Sequence, residues 1–308
     1  VRFRPDTIMP QFFPDGESAF TQFAGGDAKA QLHAMWEYLA LGRNTRQPSG
    51  MTRPSMEILV GENEAVMLRR SAPDIGKRGI SVGYPKKVNI TFDAERVVMH
   101  HLWRGQFIDP AGVWSGQGSG RVRIIPREKV HLAGSPAFAT LTTPKTRWPT
   151  ASARSLGYRF RGYDLDAQRR PTFRYDFGDA QIQDKCEDHA DANGVAYLVR
   201  TIRVRGAKGN SLYFRVAHGS GLEEGPNHIA IVDRRVSIHA QVDGQEALCS
   251  KRTSTVSDEV RDKLEARAKE RNQPPPKIPP VQELVIPVPL KNGAATIRLE
   301  YRWLEASK

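Results

Sequence analysis

The amino-acid sequence predicts a mainly β protein, a large antiparallel β-sandwich with a short N-terminal helical extension. Short runs rich in β-branched and aromatic residues recur between residues 56 and 304. Hairpin-like turns join several of these runs, for example at 165–171, 177–180 and 291–294. Few helical patterns separate them, which excludes a parallel sheet because parallel strands need crossover connections.

The chain opens with an irregular segment, DTIMPQFFPDG at residues 6–16, in which prolines prevent a long helix or strand. Met9 lies in this segment beside Phe12 and Phe13. Methionine commonly fills irregular gaps in a core. A thioether presented by a proline-stiffened loop can also ligate haem iron. The residues alone leave both roles open for Met9.

The next segment predicts a helix over residues 27–42. Asp27 is a suitable N-cap, and Gly42 can adopt the left-handed conformation that ends a helix. Apolar residues recur at helical spacing on one face: Leu32, Met35, Trp36 and Leu39. Residues 1–42 are too few to cover that face, so we expect it to need a partner.

The remaining chain predicts a linker over 43–55, rich in Pro, Gly and polar residues, and then a β domain over 56–308. A helical insertion is predicted near 257–272, followed by a stiff proline-rich connector at 274–280. The predicted strands are 56–60, 65–70, 79–84, 88–92, 96–103, 121–125, 158–165, 171–177, 195–205, 211–219, 228–233, 235–242, 282–288 and 295–304.

The formal net charge is +12, from 46 Lys and Arg against 34 Asp and Glu. The basic residues are scattered along predicted strands, without a concentrated basic arm or a nucleic-acid-binding motif. We therefore expect acidic partners or anionic polymers rather than nucleic acid. No apolar run approaches the roughly 20 residues that span a bilayer, so no transmembrane segment is predicted. The chain begins at Val1, which favours a processed product or a fragment.

The 308 residues include two cysteines, Cys186 and Cys249, too few for a cysteine-rich zinc module. They could form a disulfide in an oxidising compartment or remain buried thiols in a reducing one. Covalent haem attachment requires a C-x-x-C-H run. The nearest stretch, Cys186 to His189, has one cysteine and the wrong spacing, so haem c cannot be attached within this chain by that route.

Two further groups of residues contain side chains of types that bind metals. His100 and His101 are consecutive in a predicted strand, so we expect their side chains to point to opposite faces and not to chelate one metal together. Asp93, Glu95 and Asp109 could supply oxygen ligands, but loop carboxylates more commonly stabilise turns.

The segment from Trp103 to Gly120 concentrates two tryptophans, a phenylalanine and five glycines around Asp109. Indole rings beside a carboxylate can form a carbohydrate-binding face, with Trp103, Asp109 and Trp114 as the binding residues. The alternative is a pair of buried tryptophans flanking a tight turn. No paired catalytic acids or nucleophile motif is present, so enzymatic activity is not expected.

Two stretches resemble a known family. Residues 8–20 and 25–42 resemble the last part of a class I cytochrome c domain, a Met-Pro loop followed by a terminal helix. Residues 80–120 resemble the segment that follows such domains in large exported c-type cytochromes of planctomycete-type bacteria. The matching positions are Asp93, Trp103, Gly105, Phe107, Asp109, Trp114, Gly116 and Gly118.

This resemblance implies an electron-transfer protein in the periplasm or otherwise exported, with residues 1–42 as the remnant of the haem domain. Met9 would be the axial ligand to haem c, held by a segment or subunit outside this chain. The other partner would be a redox protein, and export favours a Cys186–Cys249 disulfide. The alternative function is a non-enzymatic carbohydrate-binding or adhesion-like module.

Overall fold

A computed structural model describes residues 16–18, 21–42, 56–115, 120–207, 211–254, 264–274 and 281–304. Met9 and the predicted linker 43–55 lie outside these residues. The chain divides into two compact units, Val1–Pro54 and Ser55–Lys308. Over the ranges given, no helix is both long enough and apolar enough to cross a membrane.

The described part of the first unit is built on helix α1, Ala28–Ala40. The Asp27 carboxylate accepts hydrogen bonds from the backbone N–H groups of Lys29 and Ala30, at 2.8 and 3.1 Å. Gly42 has a φ of +72°, a conformation that only glycine adopts at little cost. Both predicted helix ends are therefore confirmed.

The second unit contains two short α-helices among its described residues, α2 at Ala111–Ser115 and α3 at 264–270, the latter within the predicted insertion. Its first ten strands are β1 Val66–Arg69, β2 Gly79–Gly83, β3 Val88–Asp93, β4 Val98–Arg104, β5 Ile108–Asp109, β6 Arg123–Ile124, β7 Lys129–His131, β8 Phe138–Thr140, β9 Tyr158–Leu165 and β10 Pro171–Phe177. The next ten are β11 Ala180–Ala190, β12 Ala196–Arg205, β13 Leu212–Gly219, β14 Leu222–Glu224, β15 Ala230–Val232, β16 Val236–Val242, β17 Gln245–Glu246, β18 Ser250–Thr253, β19 Gln282–Pro287 and β20 Ala294–Trp303.

These strands form antiparallel sheets, which confirms the predicted fold class. One sheet has the order β1-β2-β3-β4-β7. A nine-stranded sheet has the order β14-β15-β16-β20-β12-β11-β10-β9, with β17 also paired to β16. A third has the order β18-β19-β13-β8, and β5 pairs with β6.

One continuous apolar core joins the three larger sheets. Phe92 of β3 stacks on Phe173 of β10, with ring centroids 4.2 Å apart and planes within 10°. Phe138 of β8 meets Phe214 of β13 edge to face, at 5.0 Å. Burying each such ring stabilises the fold by roughly 1.5–3 kcal/mol, so the packing between sheets holds the unit together.

Two differences from the predicted strands stand out. Residues 56–60 are not a strand, although the backbone N–H of Ile58 donates to the Ile108 carbonyl at 2.9 Å. Strand β11 was not predicted, because two of its inward positions are the carboxylates Asp184 and Asp188. Each carboxylate is buried and paired with an arginine. The two inward positions therefore carry polar residues, and the sequence lacks the alternation of apolar residues that indicates a strand.

Candidate functional site

Four histidines from three strands gather in the second unit. His101 of β4 lies directly opposite His131 of β7 in the sheet register. The Nε2 atoms of His100 and His131 are 3.3 Å apart, and their rings meet edge to face with centroids 4.4 Å apart. His218 of β13 approaches from another sheet, where its backbone N–H donates to the Leu132 carbonyl at 2.6 Å.

The side chains of His100 and His101 lie together, with ring centroids 4.3 Å apart. The prediction that they point to opposite faces is therefore wrong. The reason is a β-bulge in β4: Thr91 pairs with His101, but the next residue, Phe92, pairs with Met99. His100 is the extra residue, and an extra residue breaks the alternation of side chains along a strand.

The cluster is buried and uncharged at neutral pH. His100 and His101 are each 1% exposed, and the Nδ1 atom of each has no hydrogen-bond partner within the described part of the chain. Burial and, to a smaller extent, the neighbouring imidazoles lower the pKa of His100 from 6.5 to about 2 and that of His101 to about 4. Burial also lowers the pKa of His218 to about 3.

The spacing of the His100 and His131 rings lets the two imidazoles share a proton. Among the described residues, no group of three or more His, Cys, Asp or Glu side chains has the geometry to hold a metal ion. Asp74 is the carboxylate nearest to His101, with Oδ2 3.9 Å from Nε2, but its side chain is 73% exposed. Sequence reasoning missed His131 and His218 because each lies far along the chain from β4.

Asp93 and Asp109, which the sequence offered as oxygen ligands for a metal, stabilise turns and, for Asp109, an ion pair. Asp93 accepts hydrogen bonds from the backbone N–H groups of Glu95 and Arg96, at 2.9 and 3.1 Å. Asp109 accepts from the Arg123 guanidinium at 2.7 Å and from the Ala111 backbone N–H at 2.9 Å. These hydrogen bonds lower the pKa of Asp109.

Trp103 cannot form part of an open carbohydrate-binding face. Its side chain is 0% exposed, and its ring is parallel to that of Phe107, with centroids 6.1 Å apart. The indole N–H donates to the Gln106 carbonyl at 3.0 Å. The structure corrects the proposed role of Trp103 because a buried ring cannot stack on a sugar. Asp109 is 7% exposed, and the side chain of Trp114 lies outside the described residues.

Cys186 and Cys249 are both free and buried, so the predicted disulfide is not formed in this structure. Cys186 lies in β11 of the nine-stranded sheet, where its thiol contacts the Met99 sulfur at 3.7 Å. Cys249 directly precedes β18 in a different sheet. Burial raises the pKa of both thiols, that of Cys249 to about 12.

Helix α1 presents an exposed apolar face in the first unit. Four large side chains at positions i, i+3, i+4 and i+7 are 49% to 69% exposed: Leu32, Met35, Trp36 and Leu39. The single buried residue of this helix is Gln31, whose amide hydrogen-bonds to Ser18 and to the Phe23 carbonyl at 2.5 and 2.6 Å. The helix therefore buries a polar residue and exposes its apolar stripe.

Comparison with known proteins leaves the chain without an assigned family: no family model matches it, and no curated protein matches it.

Proposed function

We propose that this chain is the C-terminal part of an exported electron-transfer protein, in which the first unit completes a c-type haem domain. The observation that supports the proposal is the exposed apolar face of α1. Burying a large apolar side chain is worth roughly 1.5–3 kcal/mol, so four of them in one stripe favour association with another surface. The occupant we propose is the haem-attachment segment, which lies outside this chain.

Met9 would supply the axial sulfur and α1 would pack against the rest of the haem domain. The described residues do not fit covalent haem attachment, because the chain has no C-x-x-C-H run. Haem c would therefore be held by the partner segment, where the iron would supply the electron-transfer chemistry. The sandwich would position the haem domain or dock it to a redox partner protein.

The proposal is tested by expressing the chain together with its upstream coding region in a host that matures c-type cytochromes. We expect a Soret band and the weak near-infrared absorption of methionine-ligated ferric haem. Met9→Ala should abolish the near-infrared band and lower the reduction potential, because methionine ligation raises it. Met56→Ala is the matched control, an exposed methionine in the other unit. Absence of haem, or a band that survives Met9→Ala, would contradict the proposal.

A second experiment tests the helix face itself. When the upstream haem-bearing segment is produced as a separate polypeptide, Trp36→Ala with Leu39→Ala should weaken its co-purification with this chain. His33→Ala with Glu37→Ala changes a neighbouring exposed pair, whose Nε2 and Oε1 atoms lie 3.7 Å apart, and should leave co-purification unchanged. Equal loss in both double variants would show that the apolar stripe is not the contact.

A further inference from the structure

A cleft in the second unit carries five basic side chains among the twelve residues that line it. It has a volume of about 700 Å³, within the usual range for small-molecule sites. One wall comes from β1, β2 and the turn between β3 and β4, and the other from the start of β9. The exposed side chains at its rim are Arg69, Lys77, Arg78, Arg154, Arg159 and Glu95.

The charges at the rim are unbalanced. Five basic side chains face one carboxylate, that of Glu95. Within the part of the chain that the structure describes, Arg69, Lys77, Arg78 and Arg154 make no ion pair, although many other arginines of this unit do. Like charges gathered on low-dielectric walls focus a positive potential, which attracts anions.

The floor of the cleft is buried and close-packed. Tyr158, Ile80 and Val97 are each at most 3% exposed. The hydroxyl of Tyr158 donates to the Phe138 carbonyl at 2.6 Å, which fixes the start of β9. A Cβ at Gly79 would lie 2.6 Å from the Arg70 carbonyl oxygen. The backbone at Gly79 and that at Arg70 are therefore too close together to admit a side chain.

One rim guanidinium is held by backbone carbonyls, and a carboxylate fixes the turn that carries another rim residue. Nη1 of Arg159 donates to the carbonyls of Arg154 and Tyr158, at 2.9 and 2.7 Å. The turn that carries Glu95 is fixed by the Asp93 carboxylate, which accepts from the Glu95 backbone N–H. A guanidinium positioned in advance loses less freedom when it binds an anion.

We propose that this cleft binds a small molecule that carries two or more sulfate, phosphate or carboxylate groups. Guanidinium groups recognise such oxyanions with paired, charge-assisted hydrogen bonds. The single carboxylate at the rim would disfavour an anion at that end and so orient the ligand. The proposal concerns the second unit alone and is independent of any haem in the first.

Isothermal titration calorimetry at low ionic strength tests the proposal with three probes: sucrose octasulfate, tripolyphosphate and citrate. Sucrose serves as the uncharged control. Binding of any of the three anions without binding of sucrose supports the proposal, and we expect affinity to fall as salt is added. Arg69→Gln with Arg78→Gln should weaken binding by about tenfold or more, because charge-assisted contacts are lost.

The matched control is Arg127→Gln with Arg271→Gln, which removes the same charge from exposed positions outside the cleft. It should change affinity by less than about twofold, because distant surface charges are screened. Both double variants should unfold at the temperature of the parent protein. Failure of all three anions to bind, or equal weakening in the two double variants, would overturn the proposal.

Discussion

The Nε2 atoms of His100 and His131 lie 3.3 Å apart within the second unit, close enough to share one proton. Two charged imidazolium rings could not occupy these positions without strong repulsion, and burial opposes even one charge. The neutral state of this pair is therefore part of the folded structure. It makes the stability of the unit sensitive to acid.

Stability should fall as the pH drops below about 6.5, the ordinary pKa of histidine. The folded pKa values of His100 and His101 are about 2 and about 4, so the unfolded chain takes up these protons first. Linkage then predicts a loss of about 2 kcal/mol per histidine between pH 6.5 and 4.5. Urea unfolding at several pH values measures this loss.

His101→Gln should reduce the slope of stability against pH, because one buried titrating group is removed. His33→Gln removes a histidine from the other unit and should leave the slope for the second unit unchanged. A slope in His101→Gln equal to that of the parent protein would mean that other groups cause the acid sensitivity.

Asp184→Asn should destabilise the second unit by about 3–5 kcal/mol, because it leaves a buried guanidinium without its counter-charge. Arg200 donates to both carboxylate oxygens of Asp184, at 2.8 and 2.6 Å, and both side chains are almost fully buried. Asp176→Asn breaks the more exposed pair with Arg161 and should cost less than about 1 kcal/mol. Chemical denaturation distinguishes the two, and similar losses would contradict the burial argument.

Trp103→Ala should cost about 3–5 kcal/mol, since it empties a buried site and removes the indole donor to Gln106. Trp36→Ala is the control, because the side chain of Trp36 is 69% exposed. Trp36→Ala should leave the unfolding midpoint of the second unit unchanged. A stable Trp103→Ala variant would reopen the question of an accessible indole face.

The thiols of the native protein should not react with a disulfide reagent at pH 8. Cys186 and Cys249 are buried, and burial raises the pKa of each, so little thiolate is present and it is inaccessible. Denaturation should release two reactive thiols. Val195→Cys places a thiol at a 47% exposed position and should react at once. An unfolded, unreduced sample with no free thiol would demonstrate a disulfide instead.

Local patterns predicted much of the fold because they act over a few residues. The Asp27 and Gly42 helix ends follow from single residues, and β9 and β10 follow from runs rich in aromatic residues, with the bounds observed. Strand β11 escaped prediction because Asp184 and Asp188 occupy inward positions that only distant arginines make tolerable.

The histidine cluster was not predictable either, because it too depends on residues that are distant in sequence. Alternation along a strand places His100 and His101 on opposite faces, and the bulge that brings them together carries no glycine or other local signal. His131 and His218 reach the cluster through sheet pairing and packing between sheets. Such positions depend on the whole topology and not on neighbours in sequence.

Strand β20, Ala294–Trp303, lies in the middle of the nine-stranded sheet, paired on one side with β12 and on the other with β16. Strands β12 and β16 are synthesised before β20. Until β20 is synthesised, the nascent chain therefore contains two parts of the sheet, each with an unpaired edge strand. Unpaired edge strands are prone to aggregation. Pairing between strands that are distant in sequence is also slow. The second unit therefore completes its folding only after β20 has been synthesised. The incomplete nascent chain is the species that a holding chaperone would bind.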